Sequence, residues 1–217
     1  GANLPADVAR DMLFQHGPIC CAGSAIQEGP ASIERTGDHY RVSGRWSFGS
    51  GSTHADVIIG GCLVTNAGQP VMTERGPLTR VIAAPAPSFQ VLDTWHSTGL
   101  AGSGSNDYQT SDLFVPDAHT FQLDEASRRP EPLYCYSGMF LASWHGVALG
   151  LMRHSIDAAL AVVNGKMSIF PPPPIPLRQR PHARVALAKA DMQWRAARAF
   201  TYESIDQLWE EATGTGQ

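Results

Sequence analysis

The sequence predicts an α+β fold with its two kinds of structure segregated along the chain. An antiparallel β-barrel or sandwich domain comes first, and long helices forming part of a four-helix bundle follow. Three observations predict this. Between about Ile19 and Pro116, short runs rich in Val, Ile, Thr, Tyr and Phe alternate with Gly, Pro, Asn and Ser clusters, which is the pattern of short strands and turns. After Pro132 the apolar residues recur every three to four positions, the helical period. Only two such helices are present, and a bundle of this kind needs about four. The expected divisions are residues 1–16, the end of an N-terminal helical domain; 17–130, the β-domain; and 131–217, part of a C-terminal helical domain.

The elements follow in order. Leu4 to Phe14 is amphipathic, with Asn3 as N-cap, Pro5 in the first turn, and Leu4, Val8 and Met12 on one stripe. Ser32–Thr36 and His39–Trp46 flank a Gly37-Asp38 turn and predict a hairpin. Ala55–Thr65 is nearly continuous in apolar character and predicts a central strand. Thr79–Ala84, Ser88–Asp93 and Asp107–Val115 complete the set. In the last, Gln109, Ser111, Leu113 and Val115 should face opposite to Tyr108, Thr110, Asp112 and Phe114. Phe140/Leu141 to Val163 forms one long helix, stopped by Gly165. A second runs from about Pro181 to Glu211 with apolar residues on two stripes, so it expects neighbours on more than one side. Between them, Phe170 to Pro176 with its four consecutive prolines predicts an extended stiff spacer.

The bulk numbers narrow the function classes. The chain has 217 residues, 43% apolar and 17% charged, with a formal net charge of −4. That is ordinary for a globular protein with a real core. No basic excess points to nucleic acid or an anionic membrane, and no run of about 20 apolar residues stands out as a membrane span. The four cysteines, Cys20, Cys21, Cys62 and Cys135, form no C-x-x-C pair. Free thiols in a reducing cytoplasm are the expectation.

Three segments carry the chemistry. Tyr40-Arg-Val-Ser-Gly-Arg-Trp46-Ser-Phe48-Gly-Ser50-Gly-Ser-Thr-His54-Ala-Asp56 combines aromatics two apart with a Gly-Ser run. On a strand Trp46 and Phe48 point the same way. The glycines allow close backbone approach, and Ser50 offers a hydroxyl. A planar cofactor needs such a wall and such polar groups at its edge; the alternative is that both aromatics are sheet core. The other two segments are Cys21-Ala-Gly23-Ser24 and Asp93-Thr-Trp-His-Ser-Thr-Gly99-Leu-Ala-Gly-Ser-Gly-Ser105-Asn-Asp107. The latter has no following helix, so it is not a phosphate cradle at a helix N-terminus.

These segments resemble acyl-CoA-dehydrogenase-fold flavoproteins. The W-S-F-x-S-G…H-A-D form is closest to the oxygenase components of two-component, group D, flavin-dependent monooxygenases. The resemblance implies that Gly23, Ser24, Trp46, Phe48 and Ser50 bind the flavin, reduced FMN or FAD delivered by a separate reductase. It implies hydroxylation of a small aromatic substrate through a flavin C4a-hydroperoxide, and a homotetramer. Family members often carry Arg where this chain has Ala101, so a cationic contact there is not carried over. Two further readings stay open: an acyl-CoA dehydrogenase-type FAD oxidoreductase, and an inactive fragment serving as an oligomerisation module.

No catalytic residue can be assigned from the sequence. His54, His96, His145 and His154 are of the residue type most used in acid–base chemistry, but none has a metal-ligand spacing to another His or Cys. In the resembling family the substrate-covering N-terminal helices and the last helices, which hold the catalytic base, lie outside the segments matched. The chain is therefore expected to be a fragment.

Overall fold

The structure is a computed structural model that describes residues 2–13, 20–25, 31–123, 125, 128–135 and 142–214. It divides into two compact units, Gly1–Arg129 and Pro130–Gln217. The expected helix end at Phe14, the helix start at Phe140/Leu141 and the boundary at residue 16 lie outside the described residues.

The first unit opens with α1, Ala6–Leu13, and continues through β1 (Cys21–Ser24), β2 (Ser32–Thr36), β3 (His39–Gly49) and β4 (Val57–Asn66). Three two-residue strands follow, β5 (Gln69–Pro70), β6 (Met72–Thr73) and β7 (Gly76–Pro77). Then come β8 (Thr79–Pro85), β9 (Gln90–Leu92), β10 (Asn106–Pro116) and β11 (Thr120–Phe121). Nine described strands form one sheet in the order β11-β8-β4-β2-β3-β10-β9, with β1 and β5 also paired to β4. The β2–β3 hairpin closes on Gly37 and Asp38, with Gly37 at φ 66°. The sheet is mixed rather than wholly antiparallel, because β1 and β2 both run parallel to β4.

The core explains this arrangement. Ile33, Val42, Trp46, Ile58, Cys62, Ile82, Tyr108 and Val115 form one fully buried cluster. Full burial of each large aliphatic or aromatic side chain contributes about 1.5–3 kcal/mol. Trp46 stacks on Tyr108 at 5.2 Å and meets Phe89 edge-on at 6.0 Å. A second cluster seats α1: Leu4 and Ala9 pack on Val57 and Ala83, with Val8 and Met12 alongside. The stripe seen in the sequence is thus the face that packs on the sheet.

Two β-bulges change which side chains face this core. Between the pairs Asn106↔Gly49 and Tyr108↔Trp46, β3 carries one residue more than β10. Between Thr110↔Gly44 and Leu113↔Val42, β10 carries the extra residue. Phe48 (φ 60°) and Asp112 (φ 55°) take the left-handed backbone at these points. An inserted residue reverses the side-chain alternation beyond it. The strict alternation expected for Asp107–Val115 is therefore corrected: Tyr108 and Val115 are both buried, while Phe114 is exposed. The β10 bulge is closed by Arg41, which donates to both carboxylate oxygens of Asp112 at 2.7 and 3.0 Å.

In the second unit, α2 (Pro132–Cys135) precedes α3 (Ala142–Gly165) and α4 (Pro181–Thr213). The left-handed Gly214 ends α4, as a helix C-terminal glycine does. Arg153 on α3 pairs with Asp157 one turn along the same helix (2.5 Å) and joins the two helices by its salt bridge to Asp191 on α4 (3.0 Å). The Trp194 indole N–H donates to the Leu149 carbonyl at 3.0 Å. The proline segment is not the extended spacer expected. Its flanks pair as β12 (Met167–Ser168) and β13 (Ile175–Pro176), so the loop closes on itself. The Arg180 guanidinium donates to the carbonyls of Ser168, Pro171 and Pro173 and to the Ser168 hydroxyl. A five-donor cation thus organises a segment whose prolines have no N–H to pair. The expectation about membrane-length runs also needs amendment: Ser143–Gly165 is long and apolar enough to cross a bilayer, with mean hydropathy 1.4.

Candidate functional site

The motif residues of the first unit converge where β3 ends, β10 begins and β1 approaches β4. Trp46 and Phe48 do not share a face, contrary to the sequence expectation. Trp46 is fully buried, and its indole N–H donates to the Gly61 carbonyl at 2.7 Å. The bulge turns Phe48 the other way and leaves it 59% exposed. Trp46 is thus an internal prop of this sheet end, and Phe48 its displayed aromatic.

Beyond Phe48 the chain turns tightly about Gly49, the Ser50 N–H donating to the Phe48 carbonyl at 2.8 Å. A side chain at Gly49 would meet the Tyr108 ring at 2.7 Å, so only glycine fits there. Ser50 then faces the loop between β9 and β10: its hydroxyl lies 2.7 Å from that of Ser105, which lies 2.8 Å from that of Ser103. The Gly51 N–H donates to the Ser103 carbonyl at 2.9 Å, locking the two loops together.

Gly23 and Ser24 join through Tyr108. The Ser24 N–H donates to the Tyr108 hydroxyl, which donates in turn to the Ile59 carbonyl, both at 2.7 Å. Gly23 has φ 110°, and a Cβ there would lie 2.1 Å from the Ile59 carbonyl oxygen, so β1 can approach β4 only through glycine. Gly23, Ser24, Phe48 and Ser50 are therefore tied to one sheet end, with Trp46 beneath.

Trp95, Ser103, Ser105 and Asn106 lie in the Asp93–Asp107 segment read from the sequence, but none was among its candidate binding residues. Trp95 meets Phe48 edge-on, ring centres 6.2 Å apart. Asn106 is buried and fastens the loop backbone. The alternating Gly-Ser-Gly-Ser run just before a strand was the available signal. Of the histidines, His54 ends the short turn Ser52–His54. His96 lies 3.8 Å from Asp93 with both side chains well exposed. His145 and His154 belong to α3 of the other unit. Among the described residues, no group of three His, Cys, Asp or Glu could hold a metal ion.

The site suits a planar, polar-edged ligand. It offers the exposed Phe48 ring against the half-buried Trp95, a chain of three serine hydroxyls, and Gly99 and Gly102 standing in open space. The Ser52 hydroxyl beside it is buried, at 4% exposure, and has no hydrogen-bond partner among the described residues. A buried hydroxyl without a partner costs free energy, and orphaned groups of this kind cluster where a ligand or ordered water completes the structure. A ring with hydrogen-bonding edges, such as a flavin, fits this donor set.

No family model matches the chain. It is 32% identical over 211 residues to an indole-3-acetate monooxygenase of Pseudomonas putida, covering 96% of this chain and 52% of that protein. It is 28% identical over 194 residues to the oxygenase component of an FADH2-dependent resorcinol hydroxylase from a Rhizobium strain, covering 78% of this chain and 46% of that protein. Its fold is shared with XiaF from Streptomyces sp., solved in complex with FADH2 and glycerol, at TM-score 0.84 and 20% identity over 99% of this chain and 54% of that one. The chain spans about half the length of the curated relatives it matches. This sheet end and these helices thus share the acyl-CoA-dehydrogenase-like fold, and the chain is homologous to oxygenase components of two-component flavin-dependent monooxygenases.

Proposed function

We propose that the protein is an oxygenase that takes reduced FMN or FAD from a separate reductase and hydroxylates a small aromatic substrate. The observation that carries this reading is the cluster at the sheet end: Phe48 displayed by a bulge, beside the Ser50–Ser105–Ser103 hydroxyls and the Tyr108-held β1. The relatives' aromatic substrates and reduced flavin support it. Bound reduced flavin supplies the two electrons that reduce O2, so that one oxygen enters the substrate and the other leaves as water.

The chain's own residues bind and orient. Phe48 would offer a ring to the flavin, and Ser24 and Ser50 would offer hydrogen-bonding groups to its polar edge. Trp46 holds the strand from within, and Gly23 and Gly49 let backbone come close. A homotetramer would cover the apolar faces of α3 and α4, where Trp144, Val147, Met192 and Phe200 stand exposed. We place the protein in the cytoplasm on the strength of its free thiols, Cys20, Cys21 and Cys62.

The test is turnover. The protein in its longest natural form, supplied with a flavin reductase, NADH, FAD or FMN, O2 and indole-3-acetate or resorcinol, should release a product one oxygen atom heavier, labelled from 18O2. Unchanged substrate with every flavin and both substrates, under conditions where reduced flavin is shown to bind, would contradict the oxygenase reading.

A further inference from the structure

The loop between β9 and β10 is fastened at one buried side chain. The Asn106 side-chain carbonyl accepts from the backbone N–H groups of Thr94 at 3.0 Å and Trp95 at 2.9 Å. The Thr94 hydroxyl accepts from the Asp107 N–H at 2.8 Å. The Trp95 indole N–H donates to the Leu100 carbonyl at 3.0 Å, which also accepts from the Ser103 hydroxyl at 2.8 Å. Trp95 is thus held at its backbone and at its ring.

What this fastening displays is apolar. Phe48 and Leu100 both occupy the left-handed backbone region, at φ 60° and 54°, and both point outward. Such backbone costs on the order of 1–3 kcal/mol for a side-chain-bearing residue. The Trp95 and Phe48 rings, crossed at 73°, are therefore set in advance of any ligand, which lowers the ordering cost of binding one.

We propose that Trp95, positioned by Asn106, is a second ring-binding residue of this site, pairing with Phe48 to receive a planar aromatic ring. The assignment rests on the oxygenase reading, which supplies two such rings: the isoalloxazine and the aromatic substrate. Asn106 acts only through Trp95 and is a positioning residue.

The experiment compares wild type with Trp95→Leu, Trp95→Phe, Asn106→Ala and Asn106→Asp in the longest natural form, thermal midpoints confirming that each folds. Equilibrium binding is measured anaerobically for reduced FAD and reduced FMN, and separately for indole-3-acetate and resorcinol. A lost aromatic contact corresponds to roughly fivefold weaker binding or more. Trp95→Leu and Asn106→Ala should both show that loss for one ring class. Trp95→Phe, which keeps a ring, and Asn106→Asp, which keeps the acceptor, should stay within about threefold of wild type. Loss in the flavin arm identifies the cofactor ring as the ligand, and loss in the aromatic arm identifies the substrate. All variants within twofold for every probe overturn the assignment, as does Asn106→Ala weakening binding while Trp95→Leu is silent. If wild type binds no reduced flavin, the oxygenase reading falls and the aromatic arm alone decides Trp95; wild type binding no probe overturns both.

Discussion

At the residue scale, Trp46 and Phe48 show what two positions of a motif can do when one residue is inserted between a strand and its partner. Gly60 lies against the Trp46 indole so closely that a Cβ there would be 2.7 Å from its ring. Gly60→Ala should therefore destabilise by about 1–3 kcal/mol, and Trp46→Ala by about 3–5 kcal/mol, both read from denaturant midpoints. Cys62 gives a third check: burial pushes its thiol up to about 12. It should resist thiol reagents in the native protein at neutral pH and react only on unfolding, because the thiolate is the reactive form. Reaction at the rate of a free thiol would contradict the burial. The aromatic character of the site could be read from Trp46-Ser-Phe48, but its facing could not. A period of two says that residues two apart point together, and nothing in the letters marks a bulge at Phe48 or Asp112. Asn106 was hidden for a related reason: a buried side-chain carbonyl serving two N–H groups across a loop leaves no spacing in the sequence.

At the scale of elements, the change from period two to period 3.6 located the sheet and both long helices, because each period reflects one buried face. The proline run went astray for want of a partner visible in sequence: Arg180 lies beyond the loop it gathers. The contact between α3 and α4 depends on charge as well as packing. The Asp191 carboxyl is held below the usual carboxylate range by the Arg195 and then the Arg153 guanidinium, and Asp157 likewise by Arg153. A carboxylate depressed in the folded state stabilises it above the unfolded value, near pH 4, and loses that contribution as pH falls through the lower folded value. Asp191→Asn should remove part of that loss, giving a shallower acid-unfolding profile by far-UV circular dichroism; an unchanged profile would mean that the pair is screened by water. The same charges bear on the apolar length of Ser143–Gly165. An Arg or Asp at mid-bilayer costs about 2.5–3.5 kcal/mol on insertion scales, whereas Arg153 here pairs with Asp157 one turn along α3 and crosses to Asp191 on α4.

At the scale of the whole molecule, the chain spans about half the length of the curated relatives it matches, and on the proposed function its sheet end would form one wall of a flavin site. The sheet end built from β1, β3 and β10 preorganises rings and hydroxyls. Replacing the displayed aromatic, Phe48→Ala, should weaken reduced-flavin binding roughly fivefold without lowering the unfolding midpoint by more than about 1 kcal/mol. Equal loss of stability and binding would instead return Phe48 to the core. The most direct test of the central claim is anaerobic equilibrium binding of reduced FMN, reduced FAD and their oxidised forms to the protein in its longest natural form. A reduced flavin should bind more tightly than an oxidised one, and Phe48→Ala should weaken that binding; no binding of any flavin, or tight oxidised FAD indifferent to Phe48, would contradict the oxygenase reading.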